Sequence, residues 1–282
     1  MDFFDKLDAL YGKGDQDAIE TFLEESIAGF RAVGDGEMEI SALNELGGFY
    51  RGISAYNLAE DYFNEAMALM RQRGQGDSHG YAVALMNSAG NARMAGDPYK
   101  AEALFLEAMD ILSADRDKND YAYVSLLNNL ALTYQDLGEP EKALRYAQEA
   151  LETVRRGSDC EHEIATSLNN VASIWLSMGE YREAQQLLRE ALDLYDAMPE
   201  ENVHHAAALN TMALVKYRLG EREDALRDLE KAAELNRFFF GKNWDYYRIL
   251  ENRIAILSQL GRNEEAEALR KEIEAFRGTN TV

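Results

Sequence analysis

Cysteine occurs once in the 282 residues, proline three times, and basic residues number 29 against 51 acidic ones. Each shortage excludes something. The lone Cys160 cannot close an internal disulfide, which rules out a disulfide-stapled secreted domain and fits a reducing compartment. A formal net charge of −22 excludes the clustered Lys and Arg that nucleic-acid phosphates or an anionic membrane surface require. No apolar run approaches the roughly 18 residues that span a bilayer. The opening Met-Asp-Phe-Phe-Asp lacks the basic segment and apolar core of a signal peptide. The expectation is a soluble, cytoplasmic protein with no nucleic-acid or membrane partner.

Scarce proline leaves helices uninterrupted, and the prevailing residues Ala, Leu, Glu and Arg are good helix formers. The chain reads as nearly all-α. It also repeats itself. The segment LNNLALTYQDLGEPEKALRYAQEAL begins at Leu127, and LNNVASIWLSMGEYREAQQLLREAL begins at Leu168. The pattern also starts at Leu43, Leu85, Leu209 and Leu250, an offset of 41 or 42 residues. Three more series keep the same beat. Alanines recur at Ala59, Ala101, Ala143, Ala184, Ala225 and Ala266, and again at Ala66, Ala108, Ala150, Ala191 and Ala232. Glycines recur at Gly96, Gly138, Gly179, Gly220 and Gly261, with Ser54 in the equivalent place.

Each series has a mechanical reading. Leu127, Leu130, Ala131 and Tyr134 form one helical stripe that packs inward. Gly138 ends that helix in the left-handed conformation of a C-cap. Pro98 and Pro140 fall where a first helical turn tolerates proline, and Pro199 follows the second helix of its unit. The recurring alanines mark where the two helices of a hairpin approach closely. Asp77, Asn119 and Asn243 are the N-cap candidates of the linkers.

The small–aromatic–Gly–Ala–Ala pattern resembles the tetratricopeptide repeat family over essentially the whole chain. Its LNNLA…Y…LGE…KAL…EAL wording is most similar to the kinesin-light-chain subgroup, with a period longer than the family's usual one. Gly241-Lys242-Asn243-Trp244-Asp245 stands where that subgroup often reads Gly-x-Asp-His-Pro. The resemblance implies a right-handed superhelical α-solenoid of about seven antiparallel helix pairs. It is read as one domain over 1–282. A degenerate capping hairpin covers 1–36 and six repeats span 37–277, starting near 37, 79, 121, 162, 203 and 244; 278–282 is a tail.

The resemblance also implies that the first helix of each hairpin lines a concave groove. At about 100° per residue, Ser125, Asn128, Asn129, Leu132, Gln135 and Asp136 fall opposite the packing stripe. Applied to every unit, this offset collects Asn44, Asn87, Asn128, Asn129, Asn169, Asn170, Asn210 and Asn252 on one face. An amide can pair with both N–H and C=O of an extended peptide. The same residues could instead hydrogen-bond between hairpins and set the superhelix. Gly48, Gly90, Ser173 and Ala255 keep the floor between them small. Arg51, Arg93, Arg218 and Arg248 stand on this face against Glu45, Asp136 and Glu251, leaving it slightly positive in an acidic protein. Such a groove suits a peptide with acidic character, since Arg binds carboxylates bidentately, unless those arginines pair with neighbouring carboxylates. Tyr217 and Leu176 add apolar contact.

His79, Tyr121, His162, His204 and Trp244 hold nearly equivalent linker positions. Being on successive hairpins, they are read as too far apart to share a metal ion. Asp115-x-Asp117-x-Asn119 lacks the glycine and the final Glu of a calcium loop. No P-loop, dinucleotide fingerprint or His-Glu-x-x-His occurs. The sequence therefore points to a binding scaffold with no cofactor and no catalysis, whose partner is another protein or peptide. A sensory module for a signalling peptide and a self-assembling structural unit are the alternatives, since stack ends and convex faces both permit association.

Overall fold

The computed structural model describes residues 2–114, 121–157, 160–198 and 203–279. Pro199, Asn119 and the Asp115–Asp120 segment lie outside them. The described residues form fourteen α-helices and no strand, in two compact units, Met1–Glu139 and Pro140–Val282. The first unit holds α1 (Phe3–Tyr11), α2 (Gln16–Val33), α3 (Gly36–Gly52), α4 (Tyr56–Gln72), α5 (His79–Met94), α6 (Pro98–Ala114) and α7 (Tyr121–Asp136). The second holds α8 (Pro140–Val154), α9 (Glu161–Met178), α10 (Tyr181–Ala197), α11 (Val203–Leu219), α12 (Arg222–Phe240), α13 (Trp244–Gln259) and α14 (Asn263–Thr279). Among these residues no helix is long and apolar enough to cross a membrane.

Consecutive helices pack as hairpins: α3 with α4, α5 with α6, α9 with α10, α11 with α12, and α13 with α14. The alanine series explains the closeness. Every member from Ala59 to Ala266, and every member from Ala66 to Ala232, is completely buried. The marker leucines, from Leu43 to Leu250, are buried beside them.

The turns follow the glycines. Gly179 caps α9 at φ 87°, where its N–H donates to the Leu176 carbonyl and Glu180 N–H to the Trp175 carbonyl. That left-handed conformation satisfies the helix's last carbonyls and suits a residue without Cβ. Ser54 makes the same turn at φ 63° without being glycine, with its N–H bonded to Arg51 O and Ala55 N–H to Tyr50 O. At the helix starts, Asn243 caps α13 as expected, its Oδ1 accepting from Tyr246 N–H at 2.9 Å. The cap of α5 is Ser78, not Asp77: Ser78 Oγ accepts from Tyr81 N–H at 3.1 Å.

In the first unit α1 is short, and Phe3 ties it down by stacking on Phe22 and meeting Phe30 edge-on. In the second, Tyr246 and Tyr247 are buried in the core shared by α11 to α14, whereas Phe238 is 72% exposed. The aromatic run near residue 240 is thus divided between core and surface.

Candidate functional site

The first helices of successive hairpins touch one another. In the first unit α5 packs against both α3 and α7, and in the second α11 packs against both α9 and α13. Each unit therefore has a face made only of first helices. The asparagines of the repeat sit on these faces and are half-buried.

In the first unit several polar groups on this face are engaged, while Asn44 Oδ1 is buried without a partner. Asn44 Nδ2 donates to the Ile40 carbonyl at 3.0 Å, and Asn129 Nδ2 to the Ser125 carbonyl at 2.8 Å. Both bonds run back one turn along their own helix. Arg51 Nη1 donates to the Asn87 carbonyl at 3.2 Å, and its guanidinium lies over the Phe63 ring. Burial lowers the Arg51 pKa, and the residue forms no ion pair among those described. Arg93 pairs with Asp136 at 3.1 Å, linking α5 to α7 beside the half-buried Gln135. Burial, with Asp8 nearby, raises the Glu45 carboxyl. Two of the four arginines are matched by carboxylates, because Arg248 also pairs with Asp245 at 2.8 Å.

Two adjoining cavities, of about 460 and 420 Å³, share the walls Leu176 and Leu214 between α9 and α11. Ser173, Asn210, Thr211 and Arg248 line the larger. Tyr217, Arg218, Asn252 and Ala255 line the smaller. Asn252 Nδ2 donates to Asn210 Oδ1 at 3.0 Å, joining α13 to α11, and Gln259 donates to the Tyr217 hydroxyl on the same pair of helices. Asn169 Oδ1 is buried without a partner, and Asn170 is half-buried beside it on α9. Arg218 is exposed. These volumes fall in the range of small-ligand and side-chain sites.

Two features escaped the sequence reading. The linker histidines are not uniformly distant: the His162 and His204 rings meet edge-on at 5.1 Å, because α9 and α11 are direct neighbours. Burial, and His162 beside it, lower the His204 pKa. No three His, Cys, Asp or Glu converge as metal ligands among the described residues. The other feature is Asn236 on α12, which is 6% exposed and lines the larger cavity. Its signal lay in the repeat: it stands four residues after Ala232, where the stripe calls for an apolar side chain.

The tetratricopeptide repeat family matches residues 38–114, 122–197 and 205–237. That is well over half of the chain, and the chain belongs to this family. No curated protein sequence matches it. Among solved structures it is similar to BtubC (BKLC) from P. vanneervenii, at 19% identity and a TM-score of 0.68, over 81% of this chain and 94% of that one. A putative kinesin light chain from Podosopora anserina aligns at 16% identity and a TM-score of 0.57, over 71% and 96%. NprR in complex with its cognate peptide NprX aligns at 17% identity and a TM-score of 0.65, over 98% and 82%. At these identities the likeness is one of fold.

Proposed function

We propose that this chain is a non-catalytic scaffold that binds a protein or peptide on its first-helix faces, holding an extended segment through asparagine side chains. The observation that carries this reading is the pair of adjoining cavities on α9, α11 and α13, lined by Asn210, Tyr217, Arg218 and Asn252. An amide-lined concavity beside an aromatic side chain offers what an unpaired main chain needs: donors, acceptors and a flat apolar contact. In the first unit, Arg51 keeps a half-buried guanidinium without a carboxylate partner, and it would favour an acidic side chain in the ligand.

A sensory role for a signalling peptide is the second reading, favoured by the similarity of fold to NprR, which was solved with its cognate peptide. Both readings are tested together. A displayed random-peptide library is selected on the intact chain and on an Asn210→Ala, Asn252→Ala variant, with circular dichroism confirming equal helicity. Peptides enriched on the intact chain and lost from the variant support the proposal. Equal enrichment on both would make the asparagine pair a tie between hairpins and remove the proposal's basis.

A further inference from the structure

The repeat places a buried side chain four residues beyond each alanine of the second series, at Met70, Leu112, Val154, Tyr195 and Asn236. Four of these are apolar or aromatic, as a position between packed helices demands. Asn236 alone is a carboxamide, and its Oδ1 is closed to solvent without a hydrogen-bond partner. A buried acceptor left unpaired is destabilising. An apolar residue, already used at the equivalent Leu112, would remove that cost. A side chain that breaks the packing rule of its own series marks a place where function is expected.

The other end of the same amide is open. Asn236 lines the larger cavity, and its Nδ2, which is not closed off as Oδ1 is, makes no hydrogen bond among the described residues. Turning the amide over would bury two unpaired N–H groups in place of one oxygen, so the donor end is the one that meets the cavity. Asn210 stands on the same wall. Its Oδ1 accepts from Asn252 at 3.0 Å, which leaves the hydrogens of its Nδ2 unspent. The rest of the wall adds little net charge. Arg248 is bound to Asp245 at 2.8 Å, and burial with His162 nearby lowers the His204 pKa, which keeps that ring uncharged at neutral pH. Thr211 donates its hydroxyl hydrogen to the Ala207 carbonyl, so only its oxygen and the Arg248-bound Asp245 carboxylate stand as acceptors beside the Ser173 hydroxyl. The cavity therefore presents free N–H donors from α11 and α12 in a wall whose ionic groups cancel.

We propose that this cavity is a carbonyl pocket, in which Asn236 Nδ2 and Asn210 Nδ2 donate to a neutral carbonyl group of the bound segment. The proposal rests on the reading of the α9–α11–α13 face as a peptide-binding face, and adds what that face selects. Unspent donors call for an acceptor, which a Lys or Arg side chain lacks. A carboxylate gains nothing over a neutral carbonyl here, because the charge of Arg248 is already matched by Asp245. The carbonyl can come from an Asn or Gln side chain or from the main chain.

Planar probes of one shape test the pocket without a known partner. Acetate carries two acceptors and a negative charge, acetamide a neutral carbonyl, and acetamidinium donors alone with a positive charge. Acetamide also stands for an Asn or Gln side chain, and N-methylacetamide for the main chain. Each is titrated against the full chain and followed by NMR through the side-chain NH2 signals of Asn236 and Asn210, assigned by correlation to their own backbones. The expected result is saturable binding of at least one amide that moves both NH2 signals. Acetamidinium should bind at least about tenfold more weakly, because a site built to pair an acceptor rejects the analogue without one. Acetate should bind no more tightly than acetamide. Asn236→Leu should lose the amide by about tenfold.

Tighter acetamide binding would support the pocket as one for a side chain, and tighter N-methylacetamide binding as one for the main chain. Four results would overturn the proposal: an Asn236 NH2 signal that neither amide moves, acetamidinium binding as well as the amides, acetate binding more tightly than acetamide, or a folded Asn236→Leu chain that binds the amides unchanged. Should Asn236→Leu fail to fold, the NH2 signals of the parent chain decide alone. Library-selected peptides that bind Asn236→Leu unchanged would defeat the pocket while leaving the peptide face standing. Amide binding dependent on Asn236, in a chain that selects no peptides, would defeat the peptide face instead.

Discussion

The two units fill the same gap between hairpin helices with different pairs of residues. In the first unit Phe63, a large side chain that is 1% exposed, presses on Gly47, where a Cβ would stand 2.7 to 3.0 Å from three ring carbons. In the second unit the repeat-equivalent pairs are Leu188 with Ala172 and Leu229 with Ala213, all completely buried. The first unit's other hairpin carries Phe105 with Ala89 at these positions, also completely buried, so a ring meets a methyl there, a ring meets no side chain at Gly47, and a smaller aliphatic group meets a methyl in the second unit. The repeat therefore lets the volume between its helices vary from hairpin to hairpin, and Gly47 is glycine where the Phe63 ring presses closest.

The strongest way to break this comparison is to empty the aromatic position. Phe63→Ala should cost about 3–5 kcal/mol, and it also removes the ring beneath Arg51. A sharper test carries the second unit's solution into the first. Gly47→Ala alone should cost about 1–3 kcal/mol through overpacking. Combined with Phe63→Leu, it should regain most of that loss. Urea unfolding of the two single variants and the double variant measures the coupling. Strictly additive losses would mean that Gly47 and Phe63 do not share one space.

Acid should also act on the units in opposite directions. Burial depresses the His204 pKa below its ordinary 6.5, with the neighbouring His162 adding to the effect. The unfolded chain then binds the proton more readily, so stability is full above pH 6.5 and declines as pH falls toward the depressed value. Tyr195, His205 and Asp196 surround the same cluster. In the first unit, burial and Asp8 raise the Glu45 pKa above 4.5. Its folded form binds the proton more readily, so acidification through the raised value adds stability. Hydrogen exchange followed from pH 7 to pH 5 should show protection falling in α9 to α11 before α3. His204→Gln should flatten that decline. Loss of protection at the same pH in both units, unaffected by His204→Gln, would reject the contrast.

Much of this architecture was legible because helix period and repeat period reinforce each other. Once the leucine, alanine and glycine series were in register, the packing stripe, the turns and the hairpin contacts followed from geometry. Ser54 could be placed in a left-handed turn by register alone, against its own preference. What stayed hidden depends on distances between neighbouring hairpins. Period alone does not say that α9 and α11 lie close enough for His162 to touch His204. It also does not say whether an arginine on the face will find a carboxylate, as Arg93 does, or a backbone carbonyl and a ring, as Arg51 does. Asn236 was visible in principle as the polar exception in an apolar series.

The smallest expected effect bears on which unit binds. Gly48 lies inside α3, and a Cβ added there would meet nothing within 4 Å. Gly90, its equivalent on α5, would meet Arg51 Nη1 at 3.3 Å. Glycine inside a helix costs roughly 0.5–1 kcal/mol relative to alanine. Gly48→Ala should recover that amount in a denaturant titration, while Gly90→Ala should recover less because Arg51 must shift. The second unit already carries side chains at the equivalent Ser173, Leu214 and Ala255, and these line its cavities. If recognition belongs to that unit, Gly48→Ala will raise stability and leave the affinity of a library-selected peptide unchanged. Should affinity fall as stability rises, the bare helix surface at Gly48 must be where a ligand backbone approaches, and the first unit would take the binding role.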